Sequence, residues 1–298
     1  MHVVASTTDV LAQLDEALEL IAGCGSDNAA VRAEALYAHW YARPRQPFDV
    51  PPRCPPDLVE VLRAAHVGFL NWEDGWRVEN VGPRGQAVVR RDNEVRLLDR
   101  CDYSPVTRRG LLPRPGDAVS VTSRRDRVDP GDGWWRTSGP GWTWSVAPPG
   151  LVRLYYDCGV VGVALLVGAL TRLLADEPEP WLLKCAIDPA QYARSDVVIA
   201  YLTPDTVARR ALQIVEVARS GHRQGRCDGP PLTLNVAPGL SVAFDPGGDE
   251  SFGTHRCRLI AEAADGGVEA VLARFAADGI NSARPWAREV DPRLPWER

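Results

Sequence analysis

Apolar residues in the first 65 positions recur at helical spacing. Val10, Leu11, Leu14, Leu18 and Ile21 follow Thr8 and Asp9, which can cap a helix, and the pattern stops at Gly23. Ser26 and Asp27 offer the next cap, before a helical stretch through Leu36, Tyr37 and Trp40. Residues 44–56 hold six prolines and predict a loop. Residues 57–65 predict a short third helix with Leu58, Val61 and Leu62 on one face. From Gly75 to about Trp144 the character changes to short strands. Gln86-Ala-Val-Val-Arg and Glu94-Val-Arg-Leu-Leu flank an Arg91-Asp-Asn turn, a hairpin signal, and residues 117–122 alternate as a strand. Six of the ten tryptophans lie between Trp72 and Trp144, where core and loop packing is the ordinary explanation.

The second half is more regular. Residues 151–158 predict a strand and 159–174 a largely buried helix. Residues 181–187 and 197–202 predict two further strands, and Thr203 or Asp205 opens an amphipathic helix ending at Gly221. Residues 232–244 give one or two strands, and helices follow over 251–264 and 268–278 before a tail rich in Pro and Trp. The pattern predicts an α+β fold, with N-terminal helices packed on a mixed or antiparallel β body and C-terminal helices. Residues 1–150 form a helical and β-hairpin region that could dock a partner. Residues 151–298 form the core, the two making one compact unit.

Charge and cysteine content narrow the function. A net charge of −5 argues against a nucleic-acid partner. The longest apolar stretch, residues 158–170, is too short to cross a bilayer, and the first ten residues lack the pattern of a signal peptide. The seven cysteines are odd in number and scattered, with no C-x-x-C and no paired Cys/His cluster. That argues against structural zinc and for reduced thiols in the cytoplasm, with no membrane partner. The basic residues are more pointed. Lys and Arg sum to 34, yet Lys184 is the single lysine. Arginine holds its proton, whereas lysine can release one, so Lys184 is a candidate for proton chemistry.

The usual enzyme signatures are missing. Lys184 is followed by Cys185, which rules out a P-loop, and no G-x-G-x-x-G follows a strand. Asp249-Glu-Ser-Phe-Gly has Asp249 where a nucleophile elbow needs glycine, so Ser251 reads as a helix N-cap. What remains is a polar constellation. It comprises Arg153 and Tyr155 on one strand, Lys184 on the next, Gln191-Tyr-Ala-Arg-Ser-Asp in a turn, Tyr201 on a third strand, and the run from Glu250 to Arg256. Lys184 shares its strand face with Leu182 and Ala186, where partial desolvation lowers a lysine's pKa. His255 and Arg256 fall in the first turns of a helix, whose amides favour an anion. Ordinary roles stand beside these: Arg153, Arg194 and Arg258 as partners of Asp157, Asp196 or Glu262, His39 and His66 as structural, and His2 and His222 as exposed.

Asp249-Glu-Ser-Phe-Gly-Thr-His-Arg-Cys-Arg-Leu, Leu183-Lys-Cys-Ala-Ile-Asp-Pro with Tyr192 and Arg194 behind it, and Ala200-Tyr-Leu resemble the HopA-type family. Leu36-Tyr-Ala-His-Trp-Tyr is similar to that family's N-terminal aromatic helix. The family is named for a bacterial type III effector and includes stand-alone proteins from biosynthetic clusters for class V lanthipeptides and thioamitides. The resemblance implies a phospho-Ser/Thr lyase. A kinase-like partner phosphorylates a precursor peptide, and the lyase eliminates phosphate to leave dehydroalanine or dehydrobutyrine, with no metal or organic cofactor. By that analogy Lys184 is the base and His255 the acid, assisted by Tyr201 or Tyr192, while Arg194, Arg256 and Arg153 hold the phosphate. The rival expectation is a non-catalytic protein that binds a phosphopeptide or kinase in the same basic pocket. A type III effector is a third, disfavoured by a capped helix starting near residue 9.

Overall fold

The computed structural model describes residues 7–43, 57–107, 111–129, 131–144, 146–221, 229–248 and 250–297. The proline-rich run 44–56, His2, His222, Asp249 and the side chains of Thr8 and Asp9 lie outside the described residues. The chain divides into two compact units. One is Gly68–Arg127, and the other combines Met1–Val67 with Val128–Arg298, so it draws on both sides of residue 150. Among the described residues no helix is long and apolar enough to cross a membrane.

In the larger unit, helix α1 (Thr7–Cys24) buries Val10, Leu14, Ala17 and Ile21 in one stripe, as the spacing predicts. Helix α2 (Ala29–Leu36) starts later than expected. Asn28, not Ser26 or Asp27, is its N-cap, accepting from the Ala30 amide at 2.9 Å. Ser26 Oγ instead accepts from the Asn28 amide and Asp27 pairs with Arg32, so both are spent before the helix begins. The chain continues as a π-helical turn, Tyr37–Tyr41, closed by Ala42 N–H donating to the Tyr37 carbonyl at 2.8 Å. Helix α3 (Leu58–Ala65) is capped by Asp57 and buries Leu58 and Leu62.

The smaller unit is an antiparallel sheet of order β3-β2-β1-β5-β4. Its strands are β1 (Leu70–Val81), β2 (Ala87–Arg91), β3 (Glu94–Leu98), β4 (Tyr103–Pro105) and β5 (Ala118–Arg124). Asp92 at φ 51° makes the left-handed turn between β2 and β3, a conformation aspartate tolerates. Trp76, fully buried, lies beneath the Arg91 and Arg96 guanidinium groups, each 4.5 Å from the ring centroid, and Glu73 pairs with both.

The body of the larger unit is a seven-stranded sheet of order β11-β12-β8-β10-β9-β7-β6. In chain order these are β6 (Asp126–Asp129), β7 (Trp134–Ser138), β8 (Val152–Tyr156), β9 (Leu182–Ala186), β10 (Val198–Leu202), β11 (Leu234–Ala237) and β12 (Leu240–Phe244). Pairing from β11 through β7 is antiparallel throughout. Helices α4 (Val163–Leu173) and α5 (Pro204–Gly221) pack on each other, with α5 against β8. Helices α6 (Phe252–Ala263) and α7 (Gly267–Ala277) follow, with α6 packed on α2 and on the π turn. The tail forms a small hairpin, β13 (Ile280–Asn281) and β14 (Arg284–Arg288), against β12. The α+β architecture is thus present, with helices at both ends of an antiparallel body.

Trp181 locks the approach to β9. It is buried, its carbonyl accepts from the Gly139 amide at 3.1 Å, and a Cβ added at Gly139 would overlap its indole. Gly139→Ala is therefore expected to destabilise the fold by about 1–3 kcal/mol through overpacking. Urea unfolding followed by tryptophan fluorescence measures it, and an unchanged midpoint would count against the packing described.

Candidate active site

Antiparallel pairing puts directly opposed residues on the same sheet face. One row across the sheet runs Arg136, Lys184, Ile199, Tyr155, Ser241, and the next runs Ser138, Leu182, Tyr201, Arg153, Ala243. Lys184, Tyr155, Arg153 and Tyr201 therefore share a face, with Leu183, Cys185, Leu154 and Tyr156 on the other. Over the polar face lies a cavity of about 340 Å³. Its floor is Lys184, Ile199, Tyr155 and Arg153, with Trp134 from β7 at one side and Asp196 at the entry to β10. Its roof is Tyr37 and Tyr41 from the π turn, and Ser251, Gly253 and Thr254 from the start of α6.

The roof depends on one glycine. A Cβ at Gly253 would overlap the Tyr41 ring, so α6 and the π turn can close over the sheet only without it. Tyr41 in turn stacks on Tyr37, centroids 5.6 Å apart, and its hydroxyl donates to the Tyr155 hydroxyl at 3.3 Å. Ser251 is the N-cap of α6, as the sequence predicts, with Oγ accepting from the Thr254 amide at 3.1 Å. The Phe252 and Gly253 amides have no intrahelical partner, and the helix N-terminus adds a partial positive charge.

Charges around the cavity are mostly matched. Arg153 donates to Asp245 at 2.8 Å, and its guanidinium lies 5.1 Å over the Tyr201 ring. Burial opposes its charge, yet the tyrosines beside it and Asp245 raise its pKa above the usual arginine range. Arg194 holds Asp196 by two hydrogen bonds, 2.8 and 2.6 Å, and donates to the Tyr37 hydroxyl at 3.2 Å. Glu250 accepts two bonds from Arg258, each 2.9 Å. Lys184 differs. Its Nζ sits 4.1 Å over the Trp134 ring, and among the described residues it makes no ion pair, although its charge helps to hold the Asp132 carboxyl below the usual range. No group of three His, Cys, Asp or Glu among the described residues is placed to hold a metal ion.

The structure brings only part of the expected constellation together. Lys184 and Arg153 line the cavity, and Tyr201 stands behind Arg153. Arg194 does not line the cavity and reaches it through its partners Asp196 and Tyr37; Arg153 pairs with Asp245 rather than Asp157. Tyr192 is fully buried and donates to the Ala186 carbonyl at 3.0 Å, a structural bond. His255 and Arg256 do not line the cavity. Successive residues of a helix turn by about 100°, so the two that follow Gly253 and Thr254 point away from it. His255 Nε2 lies 3.0 Å from Asp278 and Nδ1 2.6 Å from Arg256, whose Nε donates to the Pro285 carbonyl at 2.9 Å. Burial and the Arg256 charge hold His255 at about 4, so it is a neutral imidazole and not the acidic imidazolium at neutral pH. His66 is structural, bonded to Thr137 at 2.7 Å, and His39 is exposed.

Tyr37, Tyr41 and Trp134 enter the site without having been assigned a role there, whereas Asp196 holds Arg194 as the sequence allows. The available signals were the four-residue spacing of Tyr37 and Tyr41, and the position of Trp134 beside the Lys184 strand.

A family model described as the HopA1 effector protein family matches residues 138–287, half of the chain. The fold is similar to that of the effector protein from Pseudomonas syringae pv. tomato strain DC3000, at 13% identity and TM-score 0.55. It is also similar to the effector protein from Pseudomonas syringae pv. syringae strain 61, at 14% identity and TM-score 0.53. Each alignment covers 95% of this chain and 98% of the other. Identities this low speak for the fold alone. No curated protein sequence matches the chain.

His255 gives the fold a pH signature. Unfolded chains take up a proton there near the ordinary 6.5, whereas the folded protein resists until about 4. The unfolded state binds more protons within that window, so stability falls as pH drops through it. His255→Gln is expected to flatten the fall. Denaturant midpoints at pH 7, 6, 5 and 4.5 measure it, and parallel curves for the two proteins would contradict the assignment.

Proposed function

The chain belongs to the HopA1 effector protein family, and from that premise we propose that it is a phospho-Ser/Thr lyase acting on a phosphorylated precursor peptide. A kinase-like partner supplies the phosphate ester, and the product carries dehydroalanine or dehydrobutyrine. The carrying observation is Lys184, the single lysine, without an ion pair among the described residues and in one cavity with Arg153. Elimination requires a base for a weakly acidic Cα–H and cations for the departing phosphate. Lys184 Nζ takes the Cα proton, the electron pair forms the Cα=Cβ bond, and the Cβ–O bond breaks. The Trp134 ring face then attracts the ammonium so formed. Arg153 and the first amides of α6 receive the phosphate from the opposite side of the cavity.

The dimensions suit that assignment. Lys184 and Tyr155 stand on strands two positions apart, a backbone separation of about 10 Å. A phosphorylated side chain fits between them, and about 340 Å³ holds one such residue with its flanking backbone. Elimination is redox-neutral and needs no electron carrier. The two Pseudomonas syringae structures are described as effector proteins. An effector role for this chain is the second reading, and it concerns where the protein acts rather than the chemistry of the cavity.

Incubation of a phosphoserine or phosphothreonine peptide with the protein, followed by intact mass, tests the proposal. Wild type is expected to remove a whole phosphoric acid, and Lys184→Arg to lose at least about 100-fold in rate. Loss of HPO₃ alone would mean hydrolysis and overturn the mechanism. Phosphopeptide binding without mass change, equal in both proteins, would make this a binding protein.

A further inference from the structure

The elimination leaves one proton unaccounted for. A phosphate monoester is a dianion at neutral pH, and breaking its Cβ–O bond without a proton would release a trianion. The third ionisation of phosphate lies above that of an ordinary phenol, so the leaving oxygen needs a proton and a phenol in the cavity can supply it. His255 is absent from the cavity and a neutral imidazole. Resting on the lyase reading, we propose that Tyr155 is the general acid that protonates the leaving phosphate oxygen, with Tyr41 as the donor that steadies the resulting phenolate.

Four observations converge on it. Tyr155 lines the cavity on the same strand face as Arg153, two residues away, so its hydroxyl lies beside the cation that would hold the phosphate. Its oxygen accepts from Tyr41, which leaves its own O–H able to donate into the cavity that Tyr155 lines. Burial raises the Tyr155 phenol above its ordinary value, with Arg153 opposing, so the proton is present at neutral pH. The last is Arg256. It is buried, makes no ion pair among the described residues, and is pulled down to about 10 by burial, against the opposing influence of Tyr155, Asp278 and Tyr41. A desolvated cation without a carboxylate gains most when an anion forms beside it. Loss of the Tyr155 proton creates that anion beside Arg153 and within electrostatic reach of Arg256.

The step balances. Lys184 gains the Cα proton, Tyr155 gives its proton to the bridging oxygen, and hydrogen phosphate leaves as the Cα=Cβ bond forms. Solvent then removes the Lys184 proton and restores that of Tyr155.

The leaving group provides the test. Sulfate is a weak base and departs without a proton, so an O-sulfoserine peptide isolates the acid from the base. Tyr155→Phe is expected to slow elimination from the matched phosphoserine peptide at least about 100-fold, yet keep the sulfopeptide rate within about threefold of wild type. Lys184→Arg is expected to lose both, and Tyr41→Phe, which keeps the acid, to lose less than Tyr155→Phe on phosphate. Retained sulfopeptide turnover also shows that Tyr155→Phe folds. Equal losses on both peptides, or a phosphopeptide rate within about threefold of wild type, would overturn the acid assignment while leaving the lyase standing. A wild type that eliminates from neither peptide would instead remove the lyase reading itself.

Discussion

Alternation of side chains along β9, β10 and β8 is the constraint on which everything else rests. Each strand sends one set of residues into the hydrophobic body and the other into the cavity, so the polar row exists only in one register. Lys184 faces Ile199, which faces Tyr155, because all three are directly opposed. A slip of one residue would place Leu183 and Leu154 in the cavity and drive Lys184 and Arg153 into the core. The extensive burial of β8 and β10 makes such a slip prohibitive, and the same burial that stabilises the sheet fixes the site.

Charge pairing shapes the cavity from the other direction. Asp245, Asp196 and Glu250 each hold an arginine, so the carboxylates nearest the site are already matched. Desolvated charges require partners, and arginine's fork satisfies a carboxylate with two bonds at a fixed angle. A lysine's single ammonium would not form those clamps. The abundance of arginine and the isolation of one lysine thus have a structural counterpart: the arginines are built into the walls, and Lys184 is left to the interior.

How far the sequence reveals this depends on what kind of geometry is asked for. Arg153, Tyr155, Lys184 and Tyr201 were legible because a period of two is a property of the chain itself. The strands from 151 to 244 and the Ser251 cap follow the same logic. His255 and Arg256 were misplaced because the rotation of a helix about its own axis is set by what it packs against, here α7 and the tail hairpin. The start of β1 near Leu70 escaped notice because its residues are largely polar or exposed, and the hairpin β13–β14 because its strands are short and carry Pro285, although Ile280, Trp286 and Ala287 are buried. Tyr37 and Tyr41 looked like ordinary helix, since nothing local distinguishes a ladder closed five residues back from one closed four back.

That π turn has an evolutionary side. The extra residue in the Tyr37–Tyr41 turn is what brings both rings over the sheet, and π turns of this kind arise where an α-helix gains a residue. Removing one residue would restore the α ladder and swing Tyr41 by about 100° around the helix, off Tyr37 and Tyr155. One codon therefore separates a plain helical scaffold from a roofed cavity. Such a step would uncover Lys184, Arg153 and Tyr155 on the sheet and would also move Trp40 and Tyr41, which belong to the core.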